Sequence, residues 1–259
     1  MNFHPFHMVS PSPWPILGSI FSFMFFSSMI FYFHLNESNY LLLNIFMINL
    51  IFFQWWRDII RESLFLGEHS KLIQKGLKLG MILFIVSEIF FFFSFFWGFF
   101  HNFLAPDIFL GMMWPPYGIL MFNPYHIPLL NTIILLSSGF SITLSHHALL
   151  NFNFKLSFFS LLLTLMLGIY FSCLQLFEYM NSNFSFNDSI FGSTFFLTTG
   201  FHGLHVLIGS TFLFINIIRI NFFQLNLLNH LSFEFSAWYW HFVDVVWIFL
   251  FSFIYWWPF

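Results

Sequence analysis

Between positions 81 and 97 the sequence reads Met81-Ile-Leu-Phe-Ile-Val-Ser-Glu-Ile-Phe-Phe-Phe-Phe-Ser-Phe-Phe-Trp97, and its only ionisable residue is Glu88. A helix rises about 1.5 Å per residue, so about 20 mostly apolar residues are needed to cross the hydrocarbon core of a bilayer. The apolar character continues on both sides of this stretch. The sequence therefore predicts a membrane-spanning helix over residues 78–103.

Six further segments have the same length and apolar character, and polar or charged residues separate them. Of the 259 residues, 59% are hydrophobic and 7% are charged, whereas soluble domains carry roughly 25% charged residues. A bilayer accepts the apolar surface that water would not. The chain is therefore predicted to be an all-α polytopic membrane protein, a single membrane domain over residues 1–259. The seven predicted spans are 14–34, 40–56, 78–103, 128–150, 156–180, 191–220 and 233–257.

The positively charged residues give an independent test of this count. Seven spans place the loops after spans 2, 4 and 6 on the side of the N-terminus, and every Lys and Arg falls in or beside one of these loops. Basic residues concentrate on the side from which a membrane protein is inserted. We therefore expect the N-terminus inside and the C-terminus outside. The basic residues are Arg57, Arg61, Lys71, Lys75, Lys78, Lys155 and Arg219.

Two carboxylates inside predicted spans are candidates for function. Glu88 lies near the middle of span 3, where an ionisable group is expensive and its neutral form is favoured. Either a proton role or a simple hydrogen bond to a neighbouring helix would explain it. Asp244 follows His241 by three residues in span 7, so both side chains share a helix face. We interpret His241 and Asp244 as a structural polar pair. Glu178 and Glu234, near span ends, are expected close to water.

The histidines raise the question of a metal or haem site. Five of them belong to spans 4, 6 and 7, and histidines on facing helices can hold a metal. However, the Glu-x-x-His pairs of di-metal bundles are missing from the sequence, and Cys173 is its single cysteine. We therefore expect no metal ligands and no catalytic residue, with the histidines making helix contacts. The five are His146, His147, His202, His205 and His241.

A basic segment with two tryptophans, Trp55-Trp-Arg-Asp-Ile-Ile-Arg-Glu62, follows span 2. Bases beside tryptophans at a membrane surface suit anionic lipid head groups. The same residues would also serve as an orientation signal, and both readings stay open. The formal net charge of −3 gives no indication of nucleic acid, and no such partner is expected.

Nine strings, in order along the chain, resemble the subunit III family of the haem–copper cytochrome c oxidases, mitochondrial type. The strongest of them is Thr199-Gly-Phe-His-Gly-Leu-His-Val-Leu-Ile-Gly-Ser210, and the last along the chain is Ala237-Trp-Tyr-Trp-His-Phe-Val-Asp-Val-Val-Trp247. Before these come Trp55-Trp-Arg-Asp-Ile-Ile-Arg-Glu62, Gln74-Lys-Gly-Leu-Lys-Leu-Gly-Met-Ile-Leu-Phe-Ile-Val-Ser-Glu88, Phe96-Trp-Gly-Phe-Phe-His101, Trp114-Pro-Pro116, Pro128-Leu-Leu-Asn-Thr132, Ser145-His-His147 and Gly192-Ser-Thr-Phe-Phe196.

The resemblance implies seven helices in two bundles with a lipid-filled cleft between them. Residues 1–70 would hold helices 1 and 2 with the basic linker, and residues 71–259 the other five helices. It also implies a non-catalytic core subunit of the respiratory-chain complex that reduces oxygen to water and translocates protons during aerobic respiration. Haem and copper would belong to subunits I and II. This subunit would stabilise the catalytic subunit and support proton uptake.

The resemblance further implies site residues, a location and partners. The family's buried carboxylate, with a candidate proton role, falls on Glu88, and the structural phospholipids, including anionic species, would contact Trp56, Arg61, Glu62, His69 and Arg219. One departure is Gly67-Glu-His, where relatives carry Gly-His-His. The expected location is the mitochondrial inner membrane, with the N-terminus in the matrix and the C-terminus in the intermembrane space. Subunits I and II and accessory subunits would be its partners.

Two other functions compete with this one. A membrane proton or ion transporter would use Glu88 and Asp244 as a relay, and a metal-bearing membrane enzyme would use the histidines. Transporters more often show internal repeats and broken helices, and we find neither in the sequence. The ordered motifs favour the oxidase subunit. In that case Gly200, Gly203 and Gly209 of span 6 are expected to permit close packing against a haem-bearing partner.

Overall fold

The computed structural model describes residues 7–108, 111–225 and 230–259. Within these ranges the chain forms seven long helices and no strand. All seven are long and apolar enough to cross a membrane, which confirms the predicted count. The helices are α1 (Trp14–Leu35), α2 (Asn39–Arg61), α3 (Lys71–Leu104), α4 (Ile127–Leu150), α5 (Phe154–Met180), α6 (Ile190–Asn221) and α7 (Leu231–Leu250).

Local sequence explains where several helices begin and end. The side chain of Asn153 accepts a hydrogen bond from the Leu156 N–H at the start of α5, and Ser189 does the same for Gly192 at the start of α6. Such caps satisfy donors that have no partner within the helix. Two helices continue as π-helical turns: α2 through Glu62–Leu66, well beyond the predicted end at residue 56, and α7 through Phe251–Trp256, close to the predicted end at residue 257.

By its internal packing the chain divides into two compact units, one ending at Leu77 and the other running from Lys78 to Phe259. The sequence places the division between residues 70 and 71, at the start of α3, whereas the structure places it within the first turns of that helix. The cleft between two bundles stays a prediction.

In the first unit, α1 and α2 form an antiparallel hairpin held by polar contacts at two levels. The indole Nε1 of Trp14 donates to Asp58 Oδ2 at 2.8 Å, and the Asn44 side-chain amide donates to the Met24 carbonyl at 3.1 Å. Outside these contacts most of the large apolar side chains of both helices are exposed. Such a surface is suited to lipid or to another subunit.

The core of the second unit is organised around Trp240 of α7, which is fully buried. Its indole lies between two glycines, Gly168 of α5 and Gly209 of α6, where an added Cβ would approach ring carbons to 2.6 Å and 2.9 Å. The indole Nε1 donates to Ser138 Oγ of α4 at 2.8 Å. One side chain thus joins four helices, and small residues on two of them make the space for it.

Helix α3 joins the second unit through long aromatic side chains. Phe92 and Phe99 are buried, and Phe96 packs edge-on against Phe253 with ring centroids 5.7 Å apart. Contacts of this length hold the backbone of α3 away from its neighbours. They also leave the remaining faces of the helix exposed, including Phe90 and Trp97.

Candidate functional site

The structure brings Glu88 of α3 into contact with His205 of α6. Glu88 Oε2 lies 2.8 Å from His205 Nε2, and the other ring nitrogen, Nδ1, lies 2.6 Å from the carbonyl oxygen of Phe201 one turn earlier. Sequence reasoning singled out both residues separately but did not connect them. The helical spacing of His202 and His205 offered no indication of which helix either would face.

The two contacts of His205 together require a proton between the imidazole and Glu88. A carbonyl oxygen only accepts, so Nδ1 must carry the hydrogen that is donated to Phe201. Nε2 of a neutral ring is then an acceptor, and the carboxyl group must be protonated to donate to it. The alternative is an imidazolium that donates to a carboxylate. In either form the pair holds one proton, and its net charge is zero.

Aromatic rings surround this proton-holding pair. The rings of Phe92, Phe242 and Tyr239 have centroids 5.0 Å, 6.2 Å and 6.2 Å from the His205 ring. Such surroundings strengthen a hydrogen bond and penalise an unpaired charge. Glu88 nevertheless keeps 23% of its side chain exposed at the surface of the chain, against 8% for His205. The carboxyl group is thus the accessible end of the pair.

The predicted pair of His241 and Asp244 is brought close but not into hydrogen-bond contact. His241 Nδ1 lies 3.9 Å from Asp244 Oδ2, and the carboxyl group is buried. A Cβ at Gly139 of α4 would lie 3.0 Å from Asp244 Oδ2, so the carboxyl group occupies space that this glycine leaves. Glu88 and Asp244, the two residues of the alternative transporter relay, therefore contact different histidines.

His202 is held by the protein as well. Its Nε2 donates to the carbonyl of Val243 in α7 at 3.2 Å, and its ring lies 5.1 Å from the Trp247 ring. The side chain is buried. These contacts tie α6 to α7 in the manner that sequence reasoning expects of a structural histidine.

The basic segment at the end of α2 contains an internal ion-pair network. Arg57 contacts Asp58 through Nη2 at 3.1 Å and Nε at 3.2 Å, and Asp58 also receives the Trp14 indole hydrogen bond. Arg61 Nη1 is 3.9 Å from the same carboxylate, and its side chain is 58% exposed. Of these two arginines, Arg61 is therefore the better placed to meet a group outside the chain.

The other predicted lipid contacts of the first unit lie close to this segment. Trp56 stacks on Phe52 with ring centroids 5.7 Å apart, and Glu62 Oε2 lies 3.7 Å from His7 Nε2. The His69 ring packs edge-on against the His7 ring. Partial burial, with a smaller effect from His7, lowers the pKa of His69 below its usual value. At neutral pH His69 therefore offers a neutral ring that hydrogen-bonds rather than a cation.

Arg219, the predicted lipid contact of the second unit, is buried at the end of α6. Its Nη1 donates to the hydroxyl of Ser232 in α7, which in turn donates to Asn216 Oδ1 at 2.8 Å. The Nε of Arg219 has no hydrogen-bond partner among the residues that the structure describes. One edge of the guanidinium is thus engaged within the chain, and an N–H of the other is left unpaired.

The expectation that Glu178 lies close to water is wrong within this chain, because its side chain is only 1% exposed. It lies beside the Tyr255 hydroxyl in the π-helical end of α7. Position near the end of a helix did not reveal that another element covers it. Glu234 remains partly exposed and pairs with Lys78, Nζ to Oε2, at 2.6 Å.

Comparison with known proteins agrees with these features along the whole chain. A family model described as cytochrome c oxidase subunit III matches residues 4–259. The chain is 56% identical over 258 residues to cytochrome c oxidase subunit 3 of Rhipicephalus sanguineus, covering 99% of this chain and 100% of that protein. It is 54% identical over 256 residues to the Locusta migratoria protein, with coverages of 99% and 97%. It is 53% identical over 254 residues to the Phoca vitulina protein, with coverages of 98% and 97%.

These matches extend over nearly the full length of each relative, and they cover all seven helices. The ordered motifs of the sequence, the all-helical membrane fold and the relatives agree on one assignment. The chain belongs to the cytochrome c oxidase subunit III family and is a multi-pass membrane subunit of that oxidoreductase complex, associated with its other subunits.

Proposed function

We propose that this chain stabilises the haem-bearing catalytic subunit of cytochrome c oxidase and supports its proton uptake, without carrying a redox centre or a catalytic residue. The observation that carries this proposal is the contact between Glu88 and His205, which must hold a proton in a largely apolar setting. A group that keeps a proton at a partly exposed carboxyl is suited to exchanging it with a neighbour. Haem and copper would lie in partner subunits.

The proposal extends to the lipids that surround the complex. Arg61 is exposed at the end of α2, in the same segment as Trp56 and Glu62, and His69 follows shortly after it in the sequence. A guanidinium can bind a phosphate with two hydrogen bonds. Arg219, which is largely buried, would contribute one hydrogen bond through its unpaired Nε. Anionic phospholipids are the ligands that this chemistry fits. The chain's exposed apolar side chains would meet acyl chains and the surfaces of subunits I and II and accessory subunits.

The proposed location is the mitochondrial inner membrane, with the N-terminus in the matrix and the C-terminus in the intermembrane space. The distribution of basic residues along the sequence supports this orientation. Trp256 and Trp257 at the C-terminal end are exposed, as expected of aromatic residues that anchor a helix at a membrane interface.

Selective removal of this chain from the purified complex tests the proposal. We expect the haem spectrum and the initial rate of oxygen reduction to persist, while activity decays over far fewer turnovers than in the intact complex. Adding the chain back with phospholipid should restore endurance, and lipid alone is the control. Loss of haem absorbance in proportion to the chain removed would contradict the absence of a redox centre. Unchanged endurance would contradict the supporting role.

A further inference from the structure

A second group of titratable side chains lies in the second unit, apart from the Glu88–His205 pair. His146 is in the last turns of α4, His230 immediately precedes α7, and Glu234 is in the first turn of α7. One possible ligand atom from each lies within 4.8 Å of the other two. We call these three residues the His146 cluster. His230 and Glu234 are about one helical turn apart in sequence, whereas His146 belongs to another helix, so spacing alone did not bring the three together.

The contacts within the His146 cluster leave metal-binding atoms available. His230 Nε2 lies 3.2 Å from Glu234 Oε1, and the His146 and His230 ring centroids are 5.7 Å apart. The His146 ring is stacked on Phe233 at 5.5 Å, which fixes its plane. In residues 7–108, 111–225 and 230–259, neither His146 Nε2 nor His230 Nδ1 has a hydrogen-bond partner, although both atoms are buried.

Unpaired buried nitrogens normally require an explanation such as a bound ion or water. Two imidazoles and one carboxylate are a ligand set that Zn²⁺ uses, with a fourth position left to water. Bonds of about 2.0–2.1 Å to a tetrahedral ion would bring the ligand atoms to within about 3.4 Å of one another. The three side chains would therefore have to close by an ångström or so, which rotation of the partly exposed His230 and Glu234 allows.

Lys78 of α3 forms an ion pair with the carboxylate that would bind the metal. Its Nζ lies 2.6 Å from Glu234 Oε2, so a cation already occupies the second oxygen of the carboxylate that would bind the metal. A positive charge at this position repels a dication and lowers the site's affinity. The geometry thus describes a weak, reversible site rather than a permanent structural one.

We infer that His146, His230 and Glu234 form a binding site for a divalent transition metal of the zinc class, linking the end of α4 to the start of α7, with Lys78 competing for the carboxylate. The inference departs from the sequence-based expectation that no zinc is liganded by this chain. That expectation rested on the missing Glu-x-x-His pairs, and it did not consider ligands drawn from two helix ends. The inference does not depend on the proposed role in proton uptake.

Zinc binding to the intact, purified oxidase complex tests the inference. The complex is first treated with a chelator, and bound Zn²⁺ per haem is then measured by equilibrium dialysis at micromolar free Zn²⁺. Sites elsewhere in the complex contribute equally to every variant. We expect His146→Asn and Glu234→Gln each to lose one equivalent of zinc relative to the unaltered complex. His147→Asn is the matched control, because His147 is the exposed neighbour of His146 and lies outside the cluster.

A gain of affinity provides a second test that misfolding cannot imitate. Lys78→Met removes the competing ammonium, and we expect zinc to bind about tenfold more tightly at this site, since one unit charge near the ion is lost. Each variant complex is checked for an unchanged haem spectrum and a full complement of this chain. Equal zinc content in the His146→Asn and unaltered complexes would overturn the site. An unchanged affinity in Lys78→Met would overturn the competing role of the lysine.

Discussion

At the scale of single residues, the contact of Glu88 with His205 determines which substitutions the chain should tolerate. His205 Nδ1 is committed to the Phe201 carbonyl, so Nε2 needs a donor from Glu88 whenever the ring is neutral. Glutamine supplies that donor through its amide, whereas alanine does not. The two substitutions therefore separate the hydrogen bond from the proton.

For Glu88→Ala we expect the free energy of unfolding of the chain within the complex to fall by about 1–3 kcal/mol, because a buried imidazole nitrogen is left unpaired. For Glu88→Gln we expect stability close to that of the unaltered chain, since the hydrogen bond to Nε2 is kept. Differential scanning calorimetry of the purified complex measures both. The carboxyl proton is absent in Glu88→Gln, so proton uptake during turnover should slow in this variant if the pair exchanges protons.

The two readouts distinguish the alternatives that the sequence left open for Glu88. If the Glu88→Gln complex keeps its activity over as many turnovers as the unaltered complex, while Glu88→Ala loses stability, then Glu88 serves only as a hydrogen bond in helix packing. Equal destabilisation by both substitutions would contradict the assigned tautomer of His205. Glu68→Gln is a suitable control, because it makes the same chemical change at a carboxylate of the first unit that is not a member of the pair.

At the scale of helices, packing of the second unit depends on the indole of Trp240 between Gly168 and Gly209. Sequence reasoning expected Gly209, with Gly200 and Gly203, to permit a close approach to a partner subunit. The structure shows the close approach of Gly209 inside the chain, to Trp240 and Tyr239. Among the described residues, no neighbour beyond the local helix backbone lies within 4 Å of a Cβ at Gly200 or Gly203, so for these two the contact with a partner stays a prediction.

We expect Gly168→Ala and Gly209→Ala each to destabilise the chain by about 1–3 kcal/mol, because the added methyl group overpacks a rigid indole. The measurement is the temperature at which this chain dissociates from the detergent-solubilised complex. Gly80→Ala in α3 is the control and should cause little destabilisation, because no described residue beyond the local helix backbone lies within 4 Å of the added Cβ. Equal effects at all three positions would show that helix propensity, rather than the Trp240 contact, determines the result.

The end of α2 carries the lipid prediction. Arg61→Ala should weaken the binding of anionic phospholipid by about 1 kcal/mol, roughly fivefold, because an exposed guanidinium is lost. Arg57→Ala removes the same charge from a side chain already engaged with Asp58, and it should have a smaller effect. Native mass spectrometry of lipid retained by the complex measures both. Equal losses would indicate that total basic charge, and no specific grip on a phosphate, attracts the lipid.

The helices themselves could be predicted from the sequence because a bilayer imposes a minimum length and an apolar composition on each one. Their pairings could not, since seven apolar helices present many equivalent faces. The burial of Glu178 could not be predicted, because it depends on Tyr255 in a π-helical turn that periodicity does not reveal. The His146 cluster could not be predicted either, since its ligands come from two separate helix ends. His205 was visible as a candidate, but its partner Glu88 became known only through the packing of α3 on α6.

At the scale of the whole molecule, the seven spans and the one-sided basic residues together predict how each loop faces the membrane. The α4–α5 loop, which contains Asn151, precedes Lys155 and should lie on the inner side with the basic residues. The α5–α6 loop, which contains Asn187, should lie on the outer side. Both asparagines are exposed, and both loops belong to the same compact unit. They therefore report on topology without reference to the first unit.

Labelling of single cysteines in sealed inner-membrane vesicles of known orientation tests this topology. In a Cys173→Ser background, a membrane-impermeant maleimide added to vesicles with the inner face outward should label Asn151→Cys and not Asn187→Cys. Vesicles of the opposite orientation should give the reverse pattern, and detergent should expose both sites equally. Labelling of both cysteines from one side would mean that α5 does not cross the membrane. Lys155 and Arg219 would then lie on opposite sides, and the seven-span arrangement would fail together with the orientation drawn from the basic residues.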